Sequence, residues 1–233
     1  MAEPSRTQAR AAEIRLRWLT LAAFAAPLLV LLAVFGTRFG LWGAGFGLDV
    51  LTLKIGRILA FAGLAAALVA VILALKDMKR RGLYAVVSLV VAGATVALFA
   101  VQGQRFAVPA DNDVTTDAAE APAFSRAVLA MRGEQGATTA SVACPGLVSV
   151  SRQVAPETAA AALAAAGFTV RGAAPFRADG AREGFWFGLT YDAAIRIRPG
   201  RTDVRVAQRE GVRVGDEACR LARAITDGLQ PQA

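Results

Sequence analysis

Ile58 to Leu75 reads ILAFAGLAAALVAVILAL, eighteen residues without a charge. A helix rises about 1.5 Å per residue and a bilayer core is about 30 Å thick, so roughly 20 mainly apolar residues cross it. Two further stretches share this texture: Leu19 to Phe35 (LTLAAFAAPLLVLLAVF), with Trp18 at its edge, and Leu83 to Val101 (LYAVVSLVVAGATVALFAV), with Tyr84 near one end. Rings with a polar tip favour the headgroup layer, which suits both aromatic positions. The three runs predict a three-helix transmembrane region over 18–101. Pro27 removes a backbone donor from the first run and predicts a kink that neighbouring helices tolerate. A cleaved signal peptide would explain only the first run, and no small-x-small site follows at Phe35-Gly36-Thr37.

Composition agrees. Of 233 residues, 55% are hydrophobic and 19% charged, whereas soluble domains are about a quarter charged. The chain has no histidine. That removes imidazole general-base work, Ser-His-Asp and Cys-His nucleophiles, and His-ligated zinc or haem. The net charge of +8 is unevenly placed: residues 1–102 hold 11 Lys+Arg against 4 Asp+Glu, and residues 103–233 hold 15 against 14. A nucleic-acid interface needs a basic patch on a folded domain, and the near-neutral C-terminal part offers none. No nucleic-acid partner and no cofactor are expected.

Orientation follows from the short basic segments. The N-tail, 1–17, carries Arg6, Arg10, Arg15 and Arg17, and the segment between the second and third runs carries Lys76, Lys79, Arg80 and Arg81. Positive segments stay cytoplasmic, which predicts the N-terminus inside and the C-terminus outside. Arg38, Lys54 and Arg57 in the first loop weaken the contrast, and LDVLTLKIGR there either lies in the interface or extends the second span. No ionisable residue lies inside the three apolar runs, which argues against a transport pathway. The 23 Arg against 3 Lys, with abundant Ala, Gly and Val, resembles a GC-rich bacterial coding background. The expected location is the bacterial cytoplasmic (inner) membrane, with the C-terminal domain periplasmic.

Beyond Val101 the texture changes. Residues 102–120 (QGQRFAVPADNDVTTDAAE) read as a polar linker, and 121–233 as an exported domain. Ala121 to Met131 suggests a short helix with Pro122 in its first turn, and 132–155 reads as loop with one short strand near Leu147 to Val150. Pro156 opens and Gly167 closes an alanine helix over Glu157 to Ala166, and Phe168 to Arg171 begins a strand. From Phe185 to Ile197, every second residue (Phe, Phe, Leu, Tyr, Ala, Ile, Ile) predicts the buried face of a strand, with a bend near Tyr191-Asp192. Pro199-Gly200-Arg201 makes a turn before a second strand over Asp203 to Arg209, with Val204 and Val206 inward. Asp216 stands where it can cap a last helix, whose apolar stripe is Ala218, Leu221, Ala222, Ile225 and Leu229. The fold class is therefore a three-helix membrane segment plus a small α+β domain, an antiparallel sheet covered by helices on one face.

The segment DNDVTTDAAEAPAF resembles the motif that opens the domain of unknown function 1499 family, typically His-Asp-Ile-Thr-Thr-Asp followed by Pro-Pro-Ala-Phe. FWFGLTYDAAIRIRPGRTDVRVAQREG is similar to that family's second hallmark, and GTRFGLW at Gly36 to Trp42 to the membrane part of its multi-span members. The chain departs from the pattern at Asn112 (usually His), Tyr191 (Asp), and Val206 and Gln208 (both Ser). The resemblance implies a bacterial envelope or plastid protein and supplies no reaction.

Candidate chemistry is sparse. Asp111-Asn112-Asp113-Val114-Thr115 matches the Asp-x-Asp-x-Thr string of haloacid-dehalogenase-type phosphatases, where the first Asp attacks phosphorus and the second is the acid/base. Pro109 precedes it, no lysine occurs beyond Lys79, and repeated βα units are missing. Asp111, Asp113, Thr115 and Asp117 also fail the calcium-loop pattern, with Thr116 at the glycine position and Pro122 at the glutamate position. These side chains equally serve as turn caps. Arg196, Arg198, Arg205 and Arg209 fall on the wetter strand face with Asp192 and Asp203 nearby. They read either as a guanidinium surface for lipid headgroups, envelope polymer or a partner's carboxylates, or as cross-strand Arg–Asp pairs on a solvated sheet. Cys144 and Cys219, the only thiols, form a disulfide or remain two buried thiols. The expected protein is an envelope interaction module on a membrane anchor, with membrane lipids and an envelope protein or anionic headgroup as partners. The alternative is an Asp-dependent, metal-assisted hydrolase.

Overall fold

The computed structural model describes residues 6–75, 77–106, 112–132, 142–212 and 215–230. The chain divides into two compact units, 1–104 and 105–233.

The first unit contains α1 (Arg6–Arg38), which continues through Pro27, a wide π-helical segment π1 (Phe46–Gly56), α2 (Arg57–Ala74) and α3 (Met78–Phe106). Three helical stretches are long and apolar enough to cross a membrane: Glu13–Arg38, Phe46–Ala74 and Arg81–Gln104. The LDVLTLKIGR stretch thus extends the second span. Asp49 and Lys54 of π1 and Arg57 at the start of α2 therefore belong to the same continuous helical stretch, outside the three charge-free runs.

Side-chain size is sorted opposite to a soluble bundle's polarity. Leu21, Leu28, Ile58, Ile72, Leu83 and Leu98 point outward, whereas Ala23, Ala67 and Ala92, one from each helix, meet inside with Leu64 packed against them. Hydrocarbon solvates large apolar side chains as well as protein does, so close backbone approach through small residues becomes the source of packing energy. The Ser88 hydroxyl lies 3.1 Å from that of Thr20, linking α3 to α1.

The GTRFGLW segment closes the junction of α1 and π1. Trp42 Nε1 donates to Thr37 Oγ1 at 3.0 Å and to Ala33 O at 3.4 Å. The indole occupies the space beside Gly36 and Gly47: a Cβ on Gly36 would stand 2.0 Å from Trp42 Cζ2, and one on Gly47 1.9 Å from Thr37 Oγ1. Two glycines and one threonine therefore make the socket for one ring.

The second unit is a six-stranded sheet of order β2-β1-β6-β5-β4-β3, antiparallel except for the parallel β1–β2 edge pair. Its strands are β1 (Asp113–Thr115), β2 (Val142–Ala143), β3 (Thr169–Ala174), β4 (Arg177–Glu183), β5 (Thr190–Arg198) and β6 (Arg201–Gln208). Helices α5 (Pro156–Ala165) and α6 (Glu217–Gly228) cover one face, where Leu163, Ile195, Val204, Val206, Leu221 and Ile225 are fully buried. The alanine surface of α5 permits close approach, and a Cβ on Gly228 would meet that of Ala162 at 3.2 Å. Cys144 and Cys219 are joined by a disulfide, with Cα atoms 5.7 Å apart.

Several expectations are corrected. The 102–120 stretch read as linker contributes β1, inside the sheet between β2 and β6. The short helix, α4, spans Arg126–Arg132 rather than beginning at Ala121, and Pro122 lies outside it. β4 was not anticipated, because ADGA alternates no apolar face. The strand expected from Phe185 begins at Thr190; Phe185 to Gly188 is a turn with Phe187 at φ 60°. Asp216 occupies the N-cap position of α6 without a side-chain capping bond. Near Leu147 to Val150, the short strand is a single bridge, Val150 to Thr202.

Gly36→Ala is expected to destabilise the helical unit by about 1–3 kcal/mol through overpacking of Trp42. Gly43→Ala, where a Cβ meets nothing within 4 Å, is the matched control. Denaturant unfolding in detergent micelles, followed by Trp42 fluorescence in a Trp18→Phe, Trp186→Phe background, measures both.

Candidate functional site

Alternation along β5 and β6 sends Tyr191, Ala193, Ile195 and Ile197 toward α5 and α6 and leaves the next residues for the opposite face. Cross-strand register then places Arg196 opposite Asp203, Ala194 opposite Arg205, and Ala207 between Asp192 and Asp113. All four arginines expected there arrive together with both aspartates. The expectation of a solvated face is corrected: Asp192 and Asp203 are fully buried. The lead-in segment and α4 lie over them, with Phe124 and Val128 packing on Ala194 and Ala207.

Two ion-pair clusters fasten that cover. In the inner one, Arg205 grips Asp113 with two bonds, Nε to Oδ1 at 2.9 Å and Nη2 to Oδ2 at 2.5 Å, and reaches Pro122 O at 3.2 Å. Asp192 accepts from Arg209 at 2.8 and 2.6 Å and from Arg132 at 2.9 Å. Arg132 also donates to Ala207 O and Gln208 O at 3.2 and 3.1 Å. The Phe124 ring has the guanidinium of Arg132 at 4.8 Å and that of Arg205 at 4.6 Å from its centroid, within cation–π range.

In the outer cluster, Asp203 accepts from Arg201 and Ser149, both at 2.7 Å, from Arg198 at 2.7 Å and from Arg196 at 3.0 Å. Asp117 pairs with Arg196, Arg198 and Arg201 at 3.2, 3.2 and 3.0 Å. Its other oxygen accepts the N–H groups of Ala119 and Glu120 and shapes the turn between them. Glu120 completes the set on Arg196 and Arg198. Thr115 and Thr116 bond to the backbone of Val204. Burial opposes ionisation of Asp203, but bonds from Ser149, Arg201, Arg196 and Arg198 outweigh it and hold the carboxyl below its ordinary range. The Glu120 N–H does the same for Asp117, helped by Arg201.

Asp111 falls outside the described residues. Asp113 and Asp117 are each neutralised by different guanidinium groups, and among the described residues no group of three His, Cys, Asp or Glu is placed to hold a metal. Beside the outer cluster is a shallow open concavity of about 370 Å³, lined by Thr116, Val148, Ser149, Ser151, Gly200 and Arg201. Arg132, Arg201, Glu120, Ser149 and Phe124 were missed as participants. Arg201 looked like a turn residue and Arg132 the end of a helix, and only the fold brings them to the aspartates. Comparison with protein-family profiles, curated proteins and solved structures finds no match to the chain.

Removing a buried carboxylate leaves its cations uncompensated. Asp192→Asn is expected to cost about 3–5 kcal/mol. Glu120→Gln, at a side chain 67% exposed, is expected to cost under about 1 kcal/mol. Chemical denaturation of the two variants measures the contrast. A carboxyl held below its unfolded value stabilises the fold above that value and loses the effect as pH falls through the folded one. For Asp203 and Asp117, thermal stability should hold from neutrality down to their ordinary 3.8 and drop below it; a melting series across that range checks this.

Proposed function

We propose that the chain is a membrane-anchored member of the domain of unknown function 1499 family. In this reading it presents an α+β interaction module on the outer face of the bacterial cytoplasmic membrane. The observation that carries the reading is the Cys144–Cys219 disulfide in a chain with three membrane-crossing helices. Disulfides persist in oxidising compartments such as the periplasm. An odd number of crossings puts the two chain ends on opposite sides, and the eight basic residues of the N-tail and second loop favour the cytoplasm for theirs.

The module's role is envelope maintenance or assembly through binding. Asp113 and Asp117 are occupied by arginines, which supports binding over the Asp-dependent hydrolase. Arg198 and Arg201 remain partly exposed, at 34% and 44% of their side chains. Arg201, together with Ser149, Ser151 and Thr116, lines the concavity and offers it to an anionic or hydroxyl-rich group of an envelope partner.

An alkaline phosphatase fused after Ala233 tests the topology. Activity in intact cells is the expected result, whereas an inactive phosphatase fusion, together with an active cytosolic reporter such as β-galactosidase at the same position, refutes the reading. In the same cells, Cys144 and Cys219 should resist alkylation until reductant is added. Loss of the bridge through Cys219→Ser should lower stability by about 4 kcal/mol for a loop of this size.

A further inference from the structure

The turn joining β4 to β5 reads Gly184-Phe185-Trp186-Phe187-Gly188. It leaves Phe185 77% and Trp186 60% exposed, with their rings edge to face at 5.0 Å. Phe187 sits at φ 60°, where bulky residues are rarely found. The Gly184 N–H to Leu189 O bond, 2.8 Å, closes the loop and holds this conformation. Backbone strain persists only where the surroundings enforce it, and here it holds two large rings out of the module's own core.

The chain enters the sheet at the same end. Asn112 O accepts the Gln208 N–H at 2.7 Å, and Gln208 pairs with Tyr191, just past the aromatic turn. Strands lie about 4.8 Å apart, so the turn stands roughly 10–14 Å sideways from β1. From Phe106, the last residue of α3, to Asn112 is six residues, which span at most about 22 Å even fully extended. The opposite end of the sheet, with Phe176 and the Pro199-Gly200 turn, lies about 30 Å further along nine-residue β5. Phe176, 64% exposed, stands at that end.

We propose that Phe185 and Trp186 form a lipid anchor that dips into the headgroup layer of the membrane spanned by α1 to α3. Indole suits that layer, with an apolar face for the acyl boundary and an N–H for the headgroups. The tether supplies the encounter at no cost in translational freedom, so a two-ring contact too weak for a free domain suffices. The inference rests on the membrane reading and is independent of which side the module occupies.

The test uses the full-length protein in liposomes of phosphatidylcholine with and without bromine near the top of the acyl chains. The Trp186 signal is the difference between wild type and Trp186→Phe, a conservative change at an exposed position. Bromine should remove about half of that signal, and its emission should lie to the blue of water-exposed indole. A tryptophan placed at the far end, Phe176→Trp in the Trp186→Phe background, should be unaffected. Quenching of the remaining Trp18 and Trp42 reports separately that the helices are embedded. With those two quenched, a Trp186 signal indifferent to bromine overturns the anchor. So does equal quenching at position 176, and so does a Trp186 signal that turns blue only on adding a protein extract, which points to a protein partner.

Discussion

Taking a carboxylate out of water costs several kcal/mol unless cations and donors replace its hydration, and the α+β unit meets that cost four times on one sheet face. Asp113, Asp179, Asp192 and Asp203 are buried, each with arginine on both oxygens. Their partners come from β4, β5, β6, α4 and the segment just beyond β6, so satisfying the charges also fixes which elements lie together. The lead-in segment has little apolar surface of its own apart from Val114, Pro122 and Phe124. It is held by Asp113, Thr115, Thr116, Asp117 and Glu120 instead. Guanidinium suits this task because its fixed fork binds both carboxylate oxygens while its flat face stacks on a ring, as Arg205 does with Asp113 and Phe124.

The same arrangement gives a physical account of the resemblance motifs. Asp113, Thr115, Thr116, Asp117 and Phe124 from the first, and Asp192, Arg196, Asp203, Arg205 and Arg209 from the second, all belong to the clamp. The motif positions therefore carry the joint between the lead-in segment and the sheet, and a reaction is not needed to explain why those residue types stand at those spacings. The departures gather elsewhere. Tyr191, Val206 and Gln208 face α5 and α6, and Asn112 adjoins Gln208 at that end of the sheet. Burial there raises the Tyr191 phenol above its usual range.

What could be read from the chain divides along the range of the forces involved. Three apolar runs, the alanine helix and the α6 stripe are local patterns, and each produced its element. β5 and β6 were legible because alternation there coincides with a buried face. β1 was hidden because three residues of Asp-Val-Thr are too short to show a period, and their pairing with β6 is ninety residues away. β4 was hidden by Ala178 and Gly180, small enough to lie under α5 but without an apolar signature. The aromatic turn misled for the reverse reason: Phe185 and Phe187 extend the alternation of β5 by coincidence, while the flanking Gly184 and Gly188 mark the loop that the backbone takes. The charged site was half legible. Arginines and aspartates of β5 and β6 share a face by period alone, whereas Arg132, Glu120 and Ser149 reach it only through tertiary folding.

The choice of cation has a consequence for how the module responds to its surroundings. Every basic residue beyond Lys79 is arginine, and the chain has no histidine. Arginine keeps its proton throughout the range in which proteins fold, so the clamp contains no cationic group that titrates between about pH 5 and 12. Its carboxylates Asp203 and Asp117 are held below their ordinary range, which moves their protonation further from neutrality. Glu210 runs the other way: burial pushes it up, against two bonds of 3.0 Å from the Thr190 N–H. A folded pKa above the unfolded one means that ionising Glu210 works against the fold at neutral pH, and that the penalty vanishes in acid. Glu210 lies at the Thr190 end of β5, beside the aromatic turn, while the clamp spans the sheet face. The module thus joins its lead-in segment through charges insensitive to ordinary changes of pH, and keeps its one upward-shifted carboxyl, among the described residues, next to the rings proposed to meet lipid.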